Sequence, residues 1–156
     1  MAKAWKIRGL DPSKVVKESL PKILLTRFSE MMSYEKGTLE GEDIEYLHDM
    51  RVSSRRLQAA MKIFRPVFPL KQYKKVYAQL RMLIRMLGEV RHFDVFINKL
   101  EKYRDTLSDH YKLSLDLLII KQNSIRSQKR KTLILYLKQL NRKGFSDKFR
   151  SLVANL

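Results

Sequence analysis

The chain contains no cysteine. Disulfides, thiolate nucleophiles and cysteine-held zinc are therefore excluded, as suits a reducing compartment. Glycine and proline are scarce, 5 and 4 among 156 residues, and long stretches are free of both, which favours helices. Tight hairpin signals such as Asn-Gly are missing, as is sustained alternation of apolar and polar residues, so nothing argues for a sheet. Aliphatic runs are short. "LLII" at 117–120 falls far below the roughly 20 residues that a membrane-spanning helix needs. The opening "MAKAWKIRGLDPSK" lacks the apolar core of a signal peptide, so the expected location is cytoplasmic. There is no Gly-rich phosphate loop, Walker motif or serine-nucleophile motif.

What is present is apolar content and positive charge. Hydrophobic residues make up 44% of the chain, enough for a packed core. Lys and Arg number 33 against 16 Asp and Glu, a formal net charge of +17. Such a balance attracts anions at a distance without choosing among nucleic acid, anionic lipid, acidic protein and polyphosphate.

The expected organisation is one all-α domain over 1–156, an antiparallel bundle of five or six helices, with a short basic lead at about 1–10. Asp11 and Pro12 form a helix-start signal. Pro21 is expected to kink or restart that helix, which then runs to about Tyr34 and ends at Gly37. Leu20, Ile23, Leu24, Phe28 and Met31 suit its buried stripe. A second helix is expected from about Glu42 to Arg65, with Glu42, Asp43 and Glu45 favoured near its N-terminus and Pro66 and Pro69 closing it. A third runs from Lys71 to Leu87 and stops at Gly88, and a fourth spans Glu89 to Tyr103. A fifth extends from Thr106 toward Gln139, with "KQNSIRSQ" as a place to bend. Gly144 precedes a short tail helix. Its Phe145, Phe149, Leu152 and Val153 suit either the core or a contact between subunits.

The stretch "HDMRVSSRRLQ" at 48–58 places a histidine and three arginines among core-like residues. With His48 at zero, Arg51, Arg55 and Lys62 fall at about 300°, 340° and 320° on a helical wheel, while Arg56 lies near 80°. The first three form a ridge bordering the apolar face of Met50, Leu57, Met61 and Phe64. Lys74, Arg81 and Arg85 cluster similarly beside Val76, Leu80, Leu83 and Leu87. On the fifth helix, Leu115, Ile119, Gln122, Arg126, Arg130, Leu133, Leu137 and Leu140 share one face. Buried guanidinium groups need partners. Arg126 and Arg130 either pair with carboxylates such as Asp94 or Asp116, or meet an anion. Each basic ridge is either a solvated face or one wall of a shared anion-binding groove. Arginine forks suit neighbouring phosphate oxygens. The three histidines show no metal-site spacing, and no resident metal or cofactor is expected. Glu42, Asp43, Glu45 and Asp49 either balance arginines or hold a divalent ion beneath a phosphate.

"LHDMRVSSRRLQAAMKIFRPVFP" resembles the signature of the CHAD family, the conserved histidine alpha-helical domain. "LRMLIRMLGEVRHFDVFINKL" resembles that family's second block, and "IRSQKRKTLILYLKQL" a third. The resemblance implies an all-helical domain with a basic central surface that binds inorganic polyphosphate, with association to polyphosphate granules as one role. Family positions carry over to His48, Arg51, Arg55, Arg56, Arg81, Arg85, Arg91 and Asp94. Where the second block usually reads Arg-Asp, this chain has Arg91-His92. Family domains contain two related helical halves, and this chain carries one signature block. The resemblance therefore implies a homodimer.

The full set expected to bind polyphosphate is His48, Arg51, Arg55, Arg56, Lys62, Lys74, Arg81, Arg85, Arg91, Arg126 and Arg130, with no reaction catalysed. Nucleic-acid backbone binding is the alternative; Trp5, Tyr73 and Tyr77 are candidate base-stacking groups, although the tyrosines fit a core better. An enzyme acting on a phosphate chain through His48 and an acidic metal site ranks below both. A membrane-surface role ranks last, because the apolar faces look committed to the core.

Overall fold

The computed structural model describes residues 3–7, 9 and 16–156, with nothing stated of the side chains of 16 and 17. Among the described residues the regular structure is entirely helical: α1 Val16–Ser33, α2 Glu35–Glu40, α3 Ile44–Ile63, α4 Leu70–Arg104, α5 Asp109–Arg142 and α6 Phe145–Ala154. A single 3-10 turn, Arg65–Val67, joins α3 to α4. The expected start at Asp11 and Pro12 lies outside the described residues.

Each amphipathic helix turns one stripe inward. Leu20, Leu24, Phe28 and Met31 of α1 meet Met50, Leu57 and Met61 of α3 and Leu80, Leu83 and Leu87 of α4 in one core. Leu133, Leu137 and Leu140 of α5 close it. Phe145, Phe149, Leu152 and Val153 of α6 are buried in the same core. Phe149 stacks on Phe28 with centroids 4.3 Å apart. The α6 side chains finish the fold of this chain instead of facing a partner.

Four expected break points lie inside helices. Pro21 lies inside α1. The helix loses one backbone hydrogen bond there, and fully buried Leu20 and Leu24 hold it on either side. Gly37 lies inside α2, and a side chain there would overlap the Tyr46 ring. The chain turns four residues later at Gly41, whose φ of 74° is left-handed. Gly88 sits within the 35-residue α4. A mid-helix glycine costs roughly 1 kcal/mol, less than the burial of Leu87 and Val90 beside it contributes. The segment "KQNSIRSQ" likewise passes through α5 unbroken. Gly144, at φ 63°, separates α5 from α6 as its left-handed tolerance allows.

Candidate anion-binding site

The turn after α3 folds it back along α4. Asp43 caps α3, its Oδ1 accepting from the Glu45 amide at 2.8 Å. Phe68 is buried under the turn and tilts against Tyr73, centroids 5.2 Å apart. Tyr73 in turn stacks on Tyr77 at 5.1 Å. This aromatic wedge forms the floor of an open cleft of about 640 Å³ lined by Lys62, Arg65, Tyr73, Lys74, Tyr77, Ala78, Arg81, Met82 and Arg85. Five of the nine lining residues are cations and none is acidic. Ala78, with only a methyl group, keeps the middle open.

Further along the hairpin, Arg51 passes over Gly88. A Cβ on that glycine would lie 3.6 Å from the Arg51 Nε. Burial, and then the charges of Arg55 and Arg91, lower the Arg51 pKa below the ordinary arginine value. Among the described residues, no carboxylate pairs with Arg51, Arg55, Lys62, Arg65, Lys74 or Arg81. Arg85 is only loosely paired, 3.8 Å from Glu89, and that carboxylate is also 3.0 Å from Lys129.

The other expected arginines have acceptors inside the protein. Glu30 is fully buried, and its two oxygens take Arg27 and Arg56, each at 2.7 Å. Arg91 reaches Glu45 at 3.4 Å. Arg126 forms an ion pair with buried Asp94. Arg130 donates to the carbonyls of Thr38 and Leu39 at 3.1 and 3.0 Å, satisfying the open end of α2. A Cβ on Gly41 would overlap the Arg130 guanidinium. Of the two readings offered for the arginines of α5, pairing inside the protein is the one these contacts match. The cleft is lined from α3, the turn and α4, and no lining residue comes from α5. Helical spacing put Arg126 and Arg130 on the inner face, and Asp94, one of the two carboxylates offered for them, is the partner of Arg126; the carbonyls that meet Arg130 lie about 90 positions away.

Arg65 was outside the expected set, and its signal lay in charge segregation. Between Asp49 and Glu89 the chain carries Arg51, Arg55, Arg56, Lys62, Arg65, Lys71, Lys74, Lys75, Arg81 and Arg85 without one acidic residue. Folding that acid-free stretch into a hairpin yields an unneutralised surface.

With this geometry in place, comparison with known families becomes specific: the CHAD domain model matches residues 22–156. The chain belongs to the CHAD domain family. No curated protein matches it.

In this CHAD domain, His48 precedes Arg51 by one turn of α3 and is not among the residues that line the cleft. Its Nδ1 is buried and unpaired, as is Oδ1 of Asp49. Glu45, His48 and Asp49 bring one ligand atom each within 4.8 Å of one another. A nitrogen and two carboxylate oxygens at positions i, i+3 and i+4 are a chemically suitable partial donor set for a divalent cation. The neighbouring Arg91 guanidinium competes for Glu45. Ser53 and Ser54 are fully buried, and their hydroxyls donate back to carbonyls of Asp49 and Met50. They serve the helix and its packing.

Proposed function

We propose that this CHAD domain binds inorganic polyphosphate along the α3–α4 hairpin and catalyses no reaction on it. One observation carries the reading: Lys62, Arg65, Lys74, Arg81 and Arg85 line a single open cleft without an acidic neighbour among its lining residues. Arg51 and Arg55 extend that charge. A polyanion with a phosphate at every repeat matches such a row, and guanidinium forks bind its oxygens in pairs. His48 flanks this path. Attachment to polyphosphate granules is the role this binding implies. Tyr73 is buried and stacked on half-buried Tyr77, which makes Tyr73 a poor base platform, whereas Trp5 is 41% exposed, so nucleic acid stays the competing reading that the test below must separate.

The test is competition at fixed ionic strength among long-chain polyphosphate, single-stranded RNA, duplex DNA and heparin. Polyphosphate should win per negative charge. Equal competition by all four would refute the specific reading and leave a general anion binder. Incubation with magnesium, followed by chain-length analysis, should leave the polymer unshortened.

The binding unit is a homodimer in this reading. Leu113, Leu117 and Ile120 recur at helical spacing on α5 and are 70%, 62% and 64% exposed, an apolar stripe suited to a second copy across a twofold axis. Light scattering should give about twice 18.6 kDa. A monomer at high concentration would remove this part of the proposal.

A further inference from the structure

The turn between α3 and α4 carries a feature that polyphosphate binding does not use. Ile63 is 71% exposed, Leu70 54% and Val67 42%. All three lie within eight residues at one end of the hairpin, with exposed Pro66 and Pro69 between them. The turn is not loose, since Phe68 is buried beneath it and backbone bonds from Val67 to Phe64 and from Phe68 to Arg65 tie it down. Its apolar side chains are therefore held outward by a rigid base. Lys62, Arg65, Lys71, Lys74 and Lys75 share the segment 62–75 with them, without one acidic residue, and Lys62, Arg65 and Lys74 also line the neighbouring cleft.

We infer that this tip docks on an anionic phospholipid surface. Phosphate headgroups meet the ring of Lys and Arg, while Ile63, Val67 and Leu70 enter the boundary between headgroups and acyl chains. The apolar residues distinguish this partner from a free phosphate polymer, which has no hydrocarbon to cover them. No helix of the described chain is long and apolar enough to cross a membrane, so the contact is a surface one. The inference goes beyond the polyphosphate reading and does not depend on it.

The experiment is co-sedimentation of the full chain with vesicles of phosphatidylcholine alone or mixed equally with phosphatidylglycerol. Binding is expected to the mixed vesicles only. An Ile63→Ser, Leu70→Ser double variant keeps every charge and removes two exposed apolar groups that make no core contact. Its partition to mixed vesicles should fall at least tenfold, while its polyphosphate affinity and helical circular dichroism stay unchanged. A Leu70→Trp variant in a Trp5→Phe background should shift its emission to the blue on mixed vesicles. Wild-type protein that ignores mixed vesicles would overturn the inference. So would a double variant that sediments like wild type, since adsorption would then be charge alone. Loss of polyphosphate binding by wild-type protein, with vesicle binding intact, would refute the earlier reading and leave this one standing.

Discussion

Arg55 and Arg56 are adjacent in sequence and should behave oppositely when replaced by alanine. Arg55 is exposed and has no carboxylate partner among the described residues. Its loss removes one charge-assisted phosphate contact, about 1.5–3 kcal/mol, or roughly tenfold or more in polyphosphate affinity. The slope of log affinity against log salt should become shallower by about one. Stability should stay within about 0.5 kcal/mol of wild type, as for surface positions generally. Arg56 instead holds Glu30, whose side chain is fully buried. Removing one partner of a buried pair costs about 3–5 kcal/mol when the other charge is stranded. Glu30 keeps Arg27 at 2.7 Å, so the loss should lie nearer 2–3 kcal/mol by the charged-bond scale. At roughly 2–4 °C per kcal/mol for a chain of this size, Tm should fall by about 4–12 °C. Thermal unfolding by circular dichroism and polyphosphate titration at three salt concentrations give both quantities. Equal losses of affinity at unchanged Tm for both variants would refute the division of this helix into a binding side and a bracing side.

Two glycines should likewise part company. Gly41→Ala forces a side chain into a left-handed backbone and onto Arg130, so it should lose at least about 1–3 kcal/mol in denaturant unfolding. Gly88→Ala has 3.6 Å to the nearest atom and should gain about 0.5–1 kcal/mol. In α5, the hydrogen bond from Arg104 lowers the Asp116 pKa below the ordinary carboxylate value. A depressed folded pKa contributes stability above the unfolded value, and that contribution disappears as pH falls through the folded pKa. NMR titration should therefore place the Asp116 midpoint below that of a free aspartate, and Arg104→Ala should move it upward.

Absence of breakers and the spacing of apolar residues were enough to read an all-helical chain, because burying a stripe every three to four residues is a local property of sequence. The same spacing put Arg51, Arg55 and Lys62 on one ridge and Arg56 off it. It misjudged Gly88, since a glycine's cost is local whereas the packing that carries α4 through it comes from other helices, chiefly α5 and α3. It left Arg65 out because, on a helix drawn through to that residue, its wheel angle falls off the ridge of Arg51, Arg55 and Lys62; α3 in fact ends at Ile63 and Arg65 opens the 3-10 turn, within the acid-free run from 50 to 88.

By itself, then, the sequence determined the helices, their inner faces and the segregation of positive charge, all set by short-range periodicity and composition. Tertiary structure alone decided which cations stay unpaired. Glu30 meets Arg56 across 26 positions, Asp94 meets Arg126 across 32, and the α2 carbonyls meet Arg130 across about 90. Electrostatic neutralisation acts through space, so only the folded chain separates the arginines that hold the domain together from those left without an acidic partner.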